Sequence, residues 1–157
     1  MTAAAKARLT AIIVAAGGGT RMGGEIEKQF RLCAGKPVLA HSVEAFLQHP
    51  ATERVVVVAA ETRMDTAKAA IGDLAGDERV LITVGGDRRQ DSVRAGLTLA
   101  ADDAALVAIH DAARPLLPQG IITGLVAAME ESGAHDIMAT LPCLLYTSDA
   151  ADDRMRV

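Results

Sequence analysis

The residues best suited to chemistry lie in a glycine-rich segment near the start of the chain. The apolar run Leu9–Val14 leads into Ala15-Ala16-Gly17-Gly18-Gly19-Thr20-Arg21-Met22, and Lys28 follows shortly after. Glycine has no Cβ, so this backbone can approach a ligand closely, and successive N–H groups can point at one anion. Arg21 adds a permanent planar charge and Lys28 a compact, mobile one. The segment therefore predicts a cradle for phosphate groups.

Two common glycine motifs do not describe this segment. A Walker A loop ends in Gly-Lys-Ser/Thr, and no such triplet follows Gly19. The dinucleotide fingerprint requires a third glycine where this chain has Met22. A dinucleotide-dependent oxidoreductase is therefore disfavoured. From this loop alone, an ordinary strand-to-helix turn with a solvated arginine remains an equal alternative to a phosphate loop.

The hydrophobic pattern alternates between strands and helices along the chain. It predicts strands over residues 9–14, 54–60, 80–84, 105–109 and 137–141 and helices over 37–48, 62–74, 91–101 and 118–132. Such alternation indicates an α/β domain with a mostly parallel sheet and helices on both faces. Ligands of such folds bind outside the carboxyl ends of the strands.

Two further motifs directly follow predicted strands. They are Gly85-Gly86-Asp87-Arg88-Arg89-Gln90-Asp91-Ser92-Val93 and His110-Asp111-Ala112-Ala113-Arg114-Pro115. We expect them to meet the glycine-rich loop at one edge of the sheet, which argues against a plain turn there.

Composition limits the classes of function. The 157 residues suggest one domain, and because aromatic residues make up only 2% of the chain, its core must be aliphatic. A net charge of −4 disfavours a nucleic-acid surface, and no apolar run is long enough to suggest a membrane span. Cys33 and Cys143 lack metal-ligand spacing, and two isolated thiols fit a reducing cytoplasm.

Five sequence blocks together resemble a known family. The glycine-rich block, Lys28-Gln29-Phe30 and Gly35-Lys36-Pro37-Val38-Leu39 are similar to sugar-phosphate nucleotidyltransferases. The Gly85–Val93 and His110–Pro115 blocks narrow the resemblance to 2-C-methyl-D-erythritol 4-phosphate cytidylyltransferases of the non-mevalonate isoprenoid pathway. The resemblance covers residues 9–142 and implies a Rossmann-like three-layer αβα nucleotidyltransferase fold, here truncated. Glu27 departs from it, because the family usually has proline there, and its presence suggests a looser loop.

The resemblance implies a reaction and its catalytic residues. The 4-phosphate oxygen of methylerythritol phosphate would attack the α-phosphorus of CTP, giving CDP-methylerythritol and pyrophosphate. A phosphate monoester is already anionic near neutral pH, so positioning and charge stabilisation suffice without a catalytic base. Arg21 and Lys28 would stabilise the pentacoordinate phosphorus, and Asp111 would hold Mg²⁺, which needs few carboxylates when phosphates are its other ligands.

The resemblance also assigns binding roles. The residues expected to bind the nucleotide are Ala15, Ala16, Gly17, Gly18, Gly19, Gly86, Asp87, Ser92 and Ala112. Asp87 suits a ribose hydroxyl, whereas Ser92 could contact the cytosine edge, cap a helix, or do both. Arg89 and Arg114 are expected to bind substrate or support the loop. We interpret His110 as a buried or hydrogen-bonded histidine and not as a general base.

Residues 143–157 do not continue the family pattern and resemble translated adapter sequence. The sequence therefore predicts an incomplete nucleotidyltransferase domain over 1–142, followed by a non-native or disordered tail. The family's missing portion supplies a second catalytic lysine and a dimer arm. We accordingly expect a homodimeric parent, and a fragment that is inactive and does not form the native dimer.

The sequence leaves three alternative functional interpretations open. The acceptor could be another polyol phosphate, such as ribitol phosphate. The parent could be a bifunctional enzyme fused to a cyclodiphosphate synthase. A nucleotide-binding module without catalytic activity is the alternative outside enzymes.

Overall fold

The computed structural model describes residues 8–17, 26–100 and 106–131, and the backbone of 137–140. Its strands, in chain order, are β1 (Leu9–Val14), β2 (Leu32–Cys33), β3 (Lys36–Pro37), β4 (Thr52–Ala59), β5 (Val80–Val84), β6 (Leu106–Asp111) and β7 (Ile137–Thr140). Its helices are α1 (Val38–Leu47), α2 (Met64–Ile71), α3 (Arg89–Leu97) and α4 (Gln119–Glu131). Short 3₁₀ turns cover Lys28–Phe30, Glu61–Arg63 and Gly72–Gly76.

The main sheet is parallel, with β1 at its centre. The strand order is β5-β4-β1-β6-β7, and every neighbouring pair is parallel. From β1 the chain moves outward through β4 to β5, and then returns to place β6 on the other side of β1. A reversal of strand order of this kind opens a crevice beyond the carboxyl ends of the strands. Val14 at the end of β1 is level with Val58 on one side and Asp111 on the other.

Alternating residues of the strands bury the two faces of the sheet. On one face, Ile13 and Val57 belong to a core that includes Phe46 of α1 and Ile122 of α4. On the other face, Ile12, Val56 and Val58 pack against Ala95 of α3. A Cβ on Gly96 of α3 would lie 2.5 Å from Cγ2 of Ile12, so α3 lies very close to the sheet. The three-layer αβα fold is confirmed, and its core is mainly aliphatic, as predicted.

The predicted elements agree with the observed ones except at turns and at the ends of strands and helices; the strand predicted over 54–60, for example, is β4 (Thr52–Ala59). The strand predicted over 80–84 is β5, and the strand predicted over 105–109 is the slightly longer β6. The helix predicted over 62–74 is divided, because Gly72 adopts a φ of 54° that ends α2. The helix predicted from Asp91 or Ser92 begins earlier, at Arg89.

The β2–β3 hairpin is an element that the sequence did not predict. Its two-residue turn, Ala34-Gly35, has positive φ values of 50° and 79°. Two successive positive φ values match the twist of a tight hairpin, but alanine seldom adopts one, so the turn has no strong sequence signal. The hairpin leads directly into α1.

None of the helices that the structure describes is long and apolar enough to cross a membrane. Gly18, Gly19 and Arg21, together with the predicted boundary at 142 and the tail beyond it, lie outside the described residues.

Candidate active site

The described parts of the three sequence motifs lie at the carboxyl edge of the sheet. The main-chain N–H of Ala15 donates to the Val58 carbonyl at 2.7 Å, and that of Ala112 donates to the Val14 carbonyl at 3.0 Å. The N–H of Gly85 donates to the Ala59 carbonyl at 2.8 Å. These bonds extend the sheet pairing past the strand ends, so the first residues of all three loops are held in register with one another.

Gly85 lies where the glycine-rich loop meets the start of α3. A Cβ there would lie 2.5 Å from Ser92 Oγ and 2.9 Å from both Ala16 Cβ and Val58 Cγ1. Real Cβ atoms do not approach so closely, so a side chain at this position would push the two loops apart. Glycine at 85 therefore permits the close approach of α3 to the loop after β1.

Ser92 is buried beneath the Gly86 loop. Its hydroxyl donates to the Gly86 carbonyl at 3.3 Å, and only 1% of the residue is exposed. Ser92 does not cap α3: Arg88 holds the extended cap conformation, and its carbonyl accepts from the N–H groups of Asp91 and Ser92. The hydroxyl keeps free acceptor capacity, and its contact with a base stays a prediction.

Asp111, at the end of β6, is paired with two arginines. Nη2 of Arg89 lies 3.1 Å from Oδ1, and Nη2 of Arg114 lies 3.1 Å from Oδ2. The three side chains are between 32% and 50% exposed, so the pairs add little stability. Their effect is to place two guanidinium groups and a carboxylate together at the strand edge.

Asp111 offers a single carboxylate, which suits a cation whose other ligands come from a bound phosphate compound. Among the described residues, no group of three or more His, Cys, Asp or Glu side chains is arranged to hold a metal ion. A single carboxylate is enough for Mg²⁺ when substrate phosphates provide other ligands, and Asp111 supplies one that is accessible. Its arginine partners would then be free to contact phosphate oxygens.

His110 supports the turn that follows β6. Its Nε2 lies 3.0 Å from the Arg114 carbonyl, and because a carbonyl only accepts, Nε2 carries the proton. Nδ1 is buried with no hydrogen-bond partner among the described residues, and the ring centroids of His110 and Phe46 lie 5.6 Å apart in an edge-to-face arrangement. Burial lowers the pKa of His110 below its ordinary value, so the imidazole is neutral. This geometry agrees with its interpretation as a buried, hydrogen-bonded residue.

Gln29 is a site residue to which sequence reasoning assigned no role. Its Nε2 donates to the carbonyls of Ala15 at 2.9 Å and Gly17 at 3.3 Å, and the residue is buried. It thus fixes the first part of the glycine-rich loop from below. The sequence offered one indication of this role, namely that Gln29 follows Lys28 in the Lys28-Gln29-Phe30 block. Nothing in the neighbouring residues indicates that Ala15 and Gly17 are its partners.

The other predicted residues differ in accessibility. Gly17, Gly86, Asp87 and Arg89 are exposed at this edge, and Lys28 is partly exposed in its 3₁₀ turn. Ala15 and Ala112 are buried, with their methyl groups in the core, so only their main chains could face a ligand.

Comparison with known proteins agrees with this arrangement of loops. The family model described as IspD, 2-C-methyl-D-erythritol 4-phosphate cytidylyltransferase, matches residues 9–149. The chain belongs to this family. The family match thus includes all three loops described above.

Curated relatives and solved structures give the extent of the likeness. The chain is 47% identical over 140 residues to a bifunctional enzyme IspD/IspF of Rhizorhabdus wittichii, covering 88% of this chain and 35% of the relative. It is 44% identical over 122 residues to a 2-C-methyl-D-erythritol 4-phosphate cytidylyltransferase of Dehalococcoides mccartyi, covering 77% of this chain and 53% of the relative. The chain therefore spans about a third to a half of the curated relatives it matches.

A crystal structure of 4-diphosphocytidyl-2C-methyl-D-erythritol synthase from Anaerococcus prevotii shares the fold. It superposes with a TM-score of 0.66 at 22% identity, covering 80% of this chain and 52% of that one. At this identity the likeness concerns the fold alone.

Proposed function

We propose that this chain is the nucleotide-binding part of an enzyme that transfers the cytidylyl group of CTP to 2-C-methyl-D-erythritol 4-phosphate. The observation that carries the proposal is the pairing of Asp111 with Arg89 and Arg114 at the same sheet edge as the glycine-rich loop. This edge offers peptide N–H groups and cations for phosphates and one carboxylate for a divalent cation.

In this proposal the nucleotide lies across the edge, with its triphosphate over the loop after β1. Gly86, Asp87 and Ser92 would hold the cytidine, and Gly17 the phosphates, together with Ala15, Ala16, Gly18, Gly19 and Ala112. Arg89 and Arg114 would orient phosphate oxygens as planar donors. The order of the loops supports this placement, because Gly85 and the glycine-rich loop are in direct contact.

The proposed mechanism is direct displacement by the acceptor phosphate. Its oxygen attacks the α-phosphorus, and pyrophosphate leaves. Arg21 and Lys28 stabilise the negative charge on the transferring group, and rate comes from positioning and electrostatics. Mg²⁺ held by Asp111 would neutralise phosphate charge when bound. Cytoplasmic location and a homodimeric parent belong to the same proposal.

Nucleotide selectivity tests the binding half of the proposal. Calorimetric titration of the 157-residue chain with CTP, UTP, ATP and NAD, each with Mg²⁺, should show the tightest binding for CTP. Equal affinity for the three triphosphates would remove the cytidine assignment. Preference for NAD would remove the nucleotidyltransferase assignment altogether.

A chimera tests the chemistry and the acceptor. Residues 9–140 would replace the matching segment of the Rhizorhabdus wittichii bifunctional enzyme, and pyrophosphate release would be followed with methylerythritol phosphate or ribitol phosphate. Turnover with methylerythritol phosphate is expected in the chimera and not in the 157-residue chain alone. A folded chimera that binds CTP but never releases pyrophosphate would support the nucleotide-binding module instead.

A bifunctional parent is a second candidate, and the likeness to the Rhizorhabdus wittichii enzyme favours it. The gene sequence downstream of residue 142 decides this question, because a cyclodiphosphate synthase would be encoded there.

A further inference from the structure

Glu27 connects two loops of the candidate site through its two carboxylate oxygens. Oε1 accepts from Nε of Arg63 at 2.8 Å, and Oε2 accepts from Nε2 of Gln29 at 2.8 Å. Arg63 ends the 3₁₀ turn after β4, and Gln29 reaches the loop after β1. We propose that Glu27 is a positioning residue. It holds the Lys28 segment against the glycine-rich loop through a clamp formed by Arg63, Glu27 and Gln29. This inference rests on the proposed function.

The inner end of the clamp holds main-chain carbonyls. The amide of Gln29 has two protons and three acceptors within reach, namely the Ala15 carbonyl, the Glu27 carboxylate and the Gly17 carbonyl. The Gly17 contact is the longest at 3.3 Å, so it shares a proton. With Glu27 directing one N–H, the other remains aimed at Ala15. The Glu27 carboxylate thereby selects one orientation of the buried Gln29 amide, which could otherwise adopt several orientations.

The outer end of the clamp lies in the 3₁₀ turn that directly follows β4. The main-chain N–H of Arg63 donates to the Ala60 carbonyl at 2.8 Å, directly after β4. Glu27 is the less exposed partner of the ion pair, with 18% of its side chain exposed against 46% for Arg63. A partly buried carboxylate beside a polyphosphate site would repel the ligand if it lacked a partner, and Arg63 offsets that charge.

The backbone at Glu27 explains why a clamp is useful here. Its φ of −62° and ψ of 146° are the values that proline adopts naturally. A glutamate has no ring to enforce them, so side-chain contacts must restrain the segment. Lys28 lies between the two clamped residues, and the Phe30 N–H donates to the Glu27 carbonyl at 3.0 Å. The start of the 3₁₀ turn and the direction of Lys28 thus depend on the clamp.

We expected Glu27 to loosen the loop, and residues 18–25 of that loop lie outside the described residues; at Glu27 itself the described contacts are an ion pair and a hydrogen bond. Glu27 restrains the segment by ion pairing and hydrogen bonding, where a proline would restrain φ covalently.

Affinity for CTP with Mg²⁺ tests the clamp in the 157-residue chain. Glu27→Ala and Arg63→Met should each raise Kd about five- to tenfold, the effect of one or two lost hydrogen bonds. The Kd of the double variant should be no more than about twofold above that of the weaker-binding single variant, because both substitutions break the same connection. A Kd increase in the double variant equal to the product of the two single-variant increases would overturn the proposal.

Two further variants separate positioning from general stability. Glu27→Pro keeps the backbone conformation, so its Kd should stay within about twofold of wild type. Arg79→Met is the matched control, since Arg79 pairs with Asp77 at the start of β5, at the opposite edge. It should lower the thermal midpoint and leave Kd unchanged. Affinity lost equally in Glu27→Pro and Glu27→Ala, or equally in Arg79→Met and Arg63→Met, would contradict the positioning role.

A spectroscopic measurement keeps this test separate from that of the proposed function. If the wild-type chain binds no CTP, the proposed function fails. The clamp is then judged by exchange of the Gln29 side-chain amide protons, followed by NMR. Exchange about tenfold faster in Arg63→Met than in Arg79→Met supports the clamp, and equal exchange overturns it.

Discussion

The guanidinium of Arg89, in the first turn of α3, lies 3.1 Å from the carboxylate of Asp111 at the end of β6. The two residues come from different motifs, and their pairing joins the Gly85–Val93 motif to the proposed cation site. Both side chains are partly exposed, so both are accessible to a ligand at this edge. The carboxylate and the arginine are therefore expected to act together when nucleotide binds.

Asp111→Asn should remove the dependence of CTP binding on Mg²⁺. The amide has about the same size but lacks the charge that a divalent cation prefers. With Mg²⁺ present, Kd should rise about tenfold or more, the usual effect of losing one strong charged contact. Titrations with Mg²⁺ and with EDTA measure this, with Asp65→Asn on the exposed side of α2 as the control. A variant that still responds fully to Mg²⁺ would exclude Asp111 as the ligand.

Gly85→Ala should destabilise the fold, because its Cβ would lie 2.5 Å from Ser92 Oγ. The expected loss in free energy of unfolding is about 1–3 kcal/mol, typical of overpacking. Gly124→Ala, within α4, is the control, since a Cβ there would have no neighbour within 4 Å among the described residues outside its own helix turn. It should gain about 0.5–1 kcal/mol from helix propensity. Urea unfolding measures both, and equal stabilities would show that the two loops separate freely.

His110 should make the fold less stable in mild acid. Burial lowers its pKa in the folded state, so as pH falls below the ordinary value near 6.5 the unfolded state takes up a proton first. The stabilisation of the fold by neutral His110 is fully present above pH 6.5. It declines as the pH falls toward the folded-state pKa, by at most about 1.4 kcal/mol per pH unit. His110→Gln keeps a donor for the Arg114 carbonyl and removes the titration. Urea unfolding from pH 7.5 to 5.0 should show a shallower decline in this variant, and an unchanged decline would assign the effect to other groups.

Lys28→Ala in the active chimera should lower kcat more than it raises KM for CTP. The proposed role of Lys28 is stabilisation of charge that develops in the transition state, so turnover should fall about 10²-fold. Lys68→Ala, an exposed lysine of α2, makes the same change in charge away from this edge. Steady-state kinetics of both variants provide the measurement. Near-normal turnover in Lys28→Ala would exclude the catalytic role.

The strands could be predicted because each is a short apolar run with its own local signal. Val80–Val84 and Leu9–Val14 are rich in β-branched or aliphatic side chains, and glycine follows each within three residues, so the local pattern indicates strands. Once the strands are parallel, the residues after them share one edge. The meeting of the Gly85 and Asp111 motifs with the glycine-rich loop was therefore predictable without coordinates.

Helix ends and the hairpin were less predictable, because they depend on single backbone conformations. α3 begins at Arg89 since Arg88 adopts an extended cap, although Asp91 and Ser92 are the better capping residues by type. Ala34 takes a positive φ that its residue type disfavours. Contacts elsewhere in the fold outweigh such small local preferences.

The sequence by itself determined the fold class, the edge of the sheet where the motifs lie, and the family. The fold class and the edge follow from hydrophobic periodicity, where local physical chemistry is sufficient, and the family follows from the resemblance of its motif blocks. Only the tertiary structure decided which side chains are partners: Arg89 with Asp111, Gln29 with Ala15, and Arg63 with Glu27. Such pairs join residues far apart in the chain, and their geometry exists only after the sheet has brought the loops together.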